Sequence, residues 1–163
     1  MSVAAACRIL PMQPVHLPAV LAAEAQLHFA PWSVANFTDS LAAGHEAWVL
    51  LDADELQAYA VVLRVLDEAH LLNISVLPHA QRQGLGKFFL RWLHHHAAGS
   101  GAHNFFLEVR ASNVAAQALY RRLAYEQIGT RRRYYAAPEG REDAVVMRCA
   151  LENGSAGEEG EEA

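Results

Sequence analysis

Residues 79–90, HAQRQGLGKFFL, decide how this chain is read. Gly84 and Gly86 flank one leucine, Lys87 follows, and apolar residues then recur at Phe88, Phe89, Leu90, Trp92 and Leu93 as on a helix packed against a sheet. The helix therefore starts at the glycines, just after a strand read from Ala69 to Val76 and a break at Pro78. A strand, a glycine turn and a helix gather backbone N–H groups at a helix N-terminus, with no Cβ at two positions to keep an anion away. Two common phosphate loops are excluded. In the Walker loop a Ser or Thr after the lysine binds magnesium, but Phe88 stands there and Gln81 takes the place of the first glycine. A dinucleotide fingerprint needs a third glycine where Phe89 stands, and belongs to the first β-α unit rather than mid-chain. What remains is a turn that holds a pyrophosphate without metal, or a helix entry whose glycines serve tight packing.

Working outward, Cys7 to Met12 suits a short strand, and Leu17, Val20, Leu21, Ala25 and Leu27 are spaced for a helix. After Pro31, Ser33 stands as an N-cap for a second helix ending at Gly44. Ala47 to Leu51, Gln57 to Val65 and Ala69 to Val76 read as three strands joined by short polar connections, an antiparallel meander. Beyond the glycine helix, NFFLEVR is a strand, Asn113 opens a helix with Ala116, Leu119, Tyr120 and Leu123 on one face, and two strands joined by PEGRED close the chain. The order β-α-α-β-β-β-α-β-α-β-β predicts a mixed α/β sheet with helices on its faces.

Composition supports one domain. A chain of 163 residues with 53% apolar and 19% charged residues can bury a core, and no apolar run approaches the ~18 residues of a membrane span. Arg8 interrupts the apolar start before a signal-peptide core forms, so a soluble, cytoplasmic protein is expected. Cys7 and Cys149 lie far apart without a CxxC pair, which fits buried thiols in a reducing compartment and no zinc site. The net charge of -5 comes from five glutamates in the last twelve residues; the rest carries 13 acidic and 13 basic residues, no basic nucleic-acid surface. Residues 1–151 are thus the domain, and 152–163 a disordered acidic tail. His94, His95 and His96 are consecutive, point ~100° apart on a helix and form a solvated helix end rather than a metal site.

At this point the chain resembles a known family. Gln81-Arg82-Gln83-Gly84-Leu85-Gly86 matches the Q/R-x-x-G-x-G/A signature of GNAT acetyltransferases, and the order of elements is similar to theirs. LLNISVLPHAQRQGLG, LEVRASNVAAQALY and RRRYYAAPEGREDAVVM resemble the RimI branch, the bacterial ribosomal-protein alanine N-acetyltransferases, from about Ile9 to Leu151. The resemblance implies a mostly antiparallel seven-stranded sheet, splayed between strands four and five, with about four helices. It implies acetyl-CoA as co-substrate, with Ile74, Ser75 and Val76 supplying a strand edge, Arg82, Gln83, Gly84, Leu85, Gly86 and Lys87 the pyrophosphate cradle, and Asn113 a further contact.

The resemblance also implies a general base at Glu108 and a general acid at Tyr120. An N-terminal amine has a pKa of about 7.7–8.0, so a large share is non-nucleophilic ammonium at neutral pH and a carboxylate must accept the proton, directly or through water. A phenol near ~10 is a reasonable donor to a departing thiolate, more so if the site depresses it. From the residues alone, Glu108 can equally be a salt-bridge partner of Arg110, and Tyr120 a core tyrosine. Trp32 and Ser33 would form one wall of the acceptor groove, and Arg131 to Tyr135, Arg133 and Tyr134 among them, the other, with Asp67, Glu68, Glu142 and Asp143 as candidate carboxylates. The implied reaction is direct attack by the N-terminal alanine of small-subunit ribosomal protein eighteen, without metal, membrane or direct nucleic-acid partner. The alternatives are a lysine or small-amine acceptor, or a noncatalytic CoA-binding module. One departure stands out: Leu123-Ala124-Tyr125 replaces the usual Leu-Gly-Phe, so a left-handed helix end would strain Ala124 and the helix is expected to end differently.

Overall fold

The computed structural model describes residues 6–152, so the acidic tail, apart from Glu152, lies outside the described residues. The elements are β1 (Cys7–Pro11), α1 (Leu17–Leu27), α2 (Val34–Ala42), β2 (Glu46–Asp52), β3 (Glu55–Val65), β4 (Glu68–Val76), α3 (Leu85–Gly99), β5 (Asn104–Arg110), α4 (Val114–Arg122), β6 (Glu126–Ala137) and β7 (Gly140–Ala150). The strands form one sheet in the order β1-β2-β3-β4-β5-β7-β6. β4 and β5 pair in parallel from Glu68 opposite Asn104 to His70 opposite Phe106, while β4 runs on to Val76 and β5 to Arg110. The β1–β2, β2–β3, β5–β7 and β6–β7 pairs are antiparallel. This is the mixed sheet with four helices that the element order predicts.

The chain divides into two compact units that interleave along the sequence, one of residues up to Leu63 with Leu72–Leu90, the other of Arg64–Leu71 with residues from Arg91 onward. In the first, α1 buries Val20 and Ala23, α2 buries Phe37, and β2 and β3 supply Val49, Leu51, Tyr59 and Val61 to one cluster. Each large side chain withdrawn from water in this way contributes ~1.5–3 kcal/mol. Leu56 to Val62 of β3 is buried without alternation, so both faces of that strand are covered. α2 starts as its sequence predicts: the Ser33 hydroxyl accepts from the Asn36 amide at 3.1 Å and the Asn36 side chain returns a bond to the Ser33 amide at 2.8 Å.

In the second unit β5 alternates, with Phe105, Leu107 and Val109 buried and Phe106, Glu108 and Arg110 on the partly exposed face. α4 starts at its predicted cap, Asn113, whose side-chain oxygen accepts from the Ala116 amide at 3.1 Å. Its other end corrects the expectation above. Ala124 adopts φ +72°, the left-handed conformation a glycine would take. The Tyr125 amide donates to the Tyr120 carbonyl at 3.0 Å and the Ala124 amide to Arg121 at 3.1 Å, the paired bonds of a Schellman motif. Tyr120 and Tyr125 pack with ring centroids 5.6 Å apart, the apolar contact that accompanies this motif. Two carbonyl partners and a ring contact outweigh the strain at Cβ, so the helix ends as a glycine would end it.

Two further expectations are corrected. PEGRED is mostly strand rather than loop, because β6 and β7 continue to Ala137 and Gly140 and only Pro138 and Glu139 turn. The histidine triple is not a solvated helix end: His94 donates to or accepts from the Tyr125 hydroxyl at 2.5 Å, its ring lies 4.8 Å from that of Phe105, and burial lowers its pKa to about 4. His96 stacks on Trp92 at 5.1 Å. Among the described residues no helix is long and apolar enough to cross a membrane, and no group of His, Cys, Asp and Glu is arranged to hold a metal ion.

Candidate active site

The glycine turn belongs to the first unit. Arg82 and Gly84 take positive φ, +64° and +78°, and α3 begins at Leu85. The first intrahelical bond runs from the Phe88 amide to the Gly84 carbonyl at 3.0 Å, so the amides of Leu85, Gly86 and Lys87 precede it and have no acceptor within the helix. Gly84 is favoured by its backbone angle, which glycine takes without strain at Cβ. Gly86 is not: it has no positive φ, and an added Cβ would meet only the Val76 side chain at 3.7 Å, an ordinary contact. No backbone angle or close contact within the fold therefore requires Gly86, and its missing Cβ leaves the neighbouring amides open. Arg82, Gln83 and Lys87 are exposed around the turn and Leu85 is buried beneath it. The donors, the missing Cβ and the nearby cations fit a phosphate group.

The strand edge before the turn is partly committed. The Gln81 side-chain amide donates to the Val76 carbonyl at 3.0 Å, and the Ser75 hydroxyl is buried, donating to Asn73 Oδ1 at 2.9 Å and lying 2.8 Å from His28 Nε2. Ile74 precedes Ser75 on β4 and is partly buried. Sequence reasoning singled out these three residues as an edge and missed Gln81 as the clamp on it. Its signal was weak, a polar residue in the first position of the glycine signature.

Glu108 and Tyr120 belong to the second unit, and Gln117 ties the elements that carry them. Its Nε2 donates to the carbonyls of Arg110 and Ala111 at 3.1 and 3.0 Å, fastening α4 to the end of β5. Glu108 does not pair with Arg110. Arg110 Nη1 donates to Glu142 at 3.1 Å and to the Ala136 carbonyl at 2.8 Å, with its guanidinium 4.6 Å from the Tyr135 ring. Glu142 also accepts from the Ser112 amide at 3.0 Å, and the bonds from Ser112 followed by Arg110 hold its carboxyl below the usual range. Glu108 instead accepts from Arg131 Nε on Oε2. The Tyr134 phenol neighbours the same carboxylate, and its pKa is raised first by burial and then by the Glu108 charge. Burial likewise raises the Tyr120 pKa, so the site does not depress this phenol. A phenol held protonated across the neutral range remains a proton donor.

Arg133 and Tyr134 lie in a bulge of β6. Arg131 pairs with Ala144 and Tyr135 with Glu142, so residues 132–134 face Asp143 alone. Asp143 Oδ1 accepts from the Arg133 amide at 2.9 Å, and Arg133 has φ +51°. Asp143 is thus the staple of the bulge rather than a loop charge. The Arg133 side chain is exposed and Tyr134 is 44% exposed, the free surface an acceptor chain needs. Glu68 pairs with His70 at 2.9 Å, and the Asp67 carbonyl accepts from the His103 amide. In the first unit Trp32 packs on Phe37 at 5.0 Å, while the Ser33 side chain is used in the cap described above.

A strand, a glycine turn and a helix on this sheet order define a class, and comparison with known proteins agrees. The chain belongs to the acetyltransferase (GNAT) family, whose model matches residues 17–125. It is similar in particular to the [ribosomal protein bS18]-alanine N-acetyltransferase of Escherichia coli strain K12, 40% identical over 140 residues, 86% of this chain and 95% of the relative. The crystal structure of the ribosomal-protein-S18-alanine N-acetyltransferase from Escherichia coli superposes with a TM-score of 0.83 at 38% identity, covering 89% of this chain and 94% of that one. Ard1 from Thermoplasma volcanium shares the fold at a TM-score of 0.80 and 18% identity, covering 90% of this chain and 99% of its own.

Proposed function

We propose that this protein transfers an acetyl group from acetyl-CoA to the N-terminal alanine of ribosomal protein bS18, in the cytoplasm, by direct attack in a ternary complex. The observation that carries this is the 40% identity to an enzyme of that name across nearly the whole of both chains. The cradle of Arg82, Gln83, Gly84, Leu85, Gly86 and Lys87 would hold the pyrophosphate, with Ile74, Ser75 and Val76 as the strand edge and Asn113 as a further contact. Acetyl-CoA supplies the acetyl thioester, whose C–S bond breaks as the new N–C bond forms. Glu108 takes the proton that the attacking amine must lose, and Tyr120 gives a proton to the departing sulfur. Trp32, Ser33, Arg133 and Tyr134 line the acceptor's path. Arg131 Nε donates to Oε2 of Glu108 and so orients that carboxylate. The domain is residues 1–151, with an acidic tail beyond.

The test mixes the full chain with acetyl-CoA and an Ala-Arg-Tyr-Phe peptide, following free thiol and peptide mass. One acetyl group on the α-amine, with one thiol released for each, is expected between about pH 6 and 9. Absence of acetylated peptide over that range refutes the proposal.

A further inference from the structure

Glu24 is a buried carboxylate that the mechanism leaves unused. It is 1% exposed and stands on the apolar face of α1, four residues after Val20. Its two oxygens divide their donors. Oε1 accepts from the Tyr59 hydroxyl at 2.7 Å and from Asn73 Nδ2 at 2.9 Å, and lies 3.3 Å from His28 Nε2. Oε2 accepts from the Trp32 backbone amide at 2.8 Å. Asn73 is itself oriented by the Ser75 hydroxyl, so its amide presents a fixed donor. Burying a carboxylate is costly unless its lone pairs are filled, and an apolar residue would pack here without that cost. A carboxylate is retained where two fixed N–H donors, from β4 and from the segment joining α1 to α2, must be met by two acceptor atoms on one side chain.

We infer that Glu24 is a positioning residue for the acceptor: it ties the His28–Ser33 segment to β4 through the Trp32 amide and so fixes the wall that the acceptor peptide meets. The inference rests on the reading of Trp32 and Ser33 as acceptor-binding. The segment leaves Phe29 59% exposed, and Val34, which opens α2 beyond it, is 53% exposed, apolar surface suited to the side chains of a bound chain. At the segment's ends the His28 amide returns to the Glu24 carbonyl, the His28 ring meets the Ser75 hydroxyl at 2.8 Å and the Ser33 bonds face α2, whereas the Trp32 amide is held by Glu24. Losing the Glu24 bond therefore loosens the wall without touching the glycine turn.

The experiment uses the full chain and three readouts: peptide KM, kcat and acetyl-CoA affinity by titration calorimetry, with backbone amide exchange at Trp32 alongside. Glu24→Met keeps volume and removes every acceptor. It is expected to raise peptide KM at least about tenfold, with kcat and acetyl-CoA affinity within about threefold, and to abolish protection of the Trp32 amide. Tyr59→Phe removes one donor but leaves the Trp32 bond, so stability falls while peptide KM stays within about twofold. Unchanged peptide KM in Glu24→Met, or equal losses in all three parameters in both variants, overturns the inference. If Glu24→Met fails to fold, wild-type exchange decides: Trp32 must exchange far more slowly than Phe29 and Ala30, and equal rates overturn the inference. Inactivity of the wild type on the peptide refutes the proposed function instead, and leaves the exchange measurement to judge Glu24.

Discussion

Ala124→Gly should make this protein more stable, although it replaces a good helix former with a poor one. Ala124 sits at φ +72° in the Schellman motif that ends α4. For a residue with a Cβ the left-handed conformation costs roughly 1–2 kcal/mol, whereas glycine takes it freely. Against this, glycine gives the unfolded chain extra freedom worth about 0.4–1 kcal/mol. The net gain is about 0.5–1 kcal/mol, which in a domain of this size raises Tm by about 1–4 °C. Urea unfolding followed by circular dichroism measures it: the midpoint should rise with an unchanged slope, since no buried surface is altered. Ala124→Val provides the opposite arm, because a β-branched residue is still less tolerant of positive φ and should lose about 1–3 kcal/mol. A midpoint for Ala124→Gly at or below wild type, at equal slope, refutes the assignment of strain. The outcome bears on the site, since Tyr120 supplies both the carbonyl that closes the motif and the proposed proton donor.

Glu108→Gln should lower kcat/KM most below the amine pKa of about 7.7–8.0, where the proton must be removed, and Tyr120→Phe should slow turnover with acetyl-CoA affinity kept; wild-type rates in both variants remove the roles assigned to them. Gly86→Ala should fold as stably as wild type or up to about 1 kcal/mol better, since Ala favours the helix and its Cβ meets only ordinary contact, while acetyl-CoA affinity falls at least about tenfold; unchanged affinity by calorimetry refutes a ligand seated on the turn. His94 sets a pH dependence. Its folded pKa of about 4 lies below the ordinary 6.5, so the unfolded chain binds the proton more readily, and stability is complete above about pH 6.5 and lost as pH falls toward 4. At ~1.4 kcal/mol per pH unit the loss reaches up to about 3 kcal/mol, and in His94→Gln denaturant titrations the slope of stability against pH in this window should flatten; an unchanged slope contradicts a neutral, buried His94.

Local pattern made much of the molecule legible. Apolar spacing set each helix and strand, Ser33 and Asn113 marked their helix starts, and the missing Ser/Thr after Lys87 separated the glycine turn from a nucleotide loop. These features depend on residues within a turn or two of one another, where backbone geometry alone fixes who faces whom. The partners of charged side chains were not legible in this way. Glu108 and Arg110 share one strand face, so the residues alone allow a pair between them, yet Arg110 goes to Glu142 and Glu108 to Arg131, 32 and 23 residues away.

The sequence by itself therefore determined the order of elements and the class of fold, and its family resemblance named the residues proposed for the cradle and the proton transfers. Tertiary structure decided what those residues touch. Glu108 meets Arg131 because β7 pairs with both β5 and β6 and because a bulge, stapled by Asp143, absorbs the residues between Arg131 and Tyr135. In a sheet one residue of register moves every side chain to the opposite face, and register is set by distant pairings rather than by neighbours in sequence. Glu24 follows the same rule: its donors come from Trp32, Tyr59 and Asn73, which only the packed chain brings to one carboxylate.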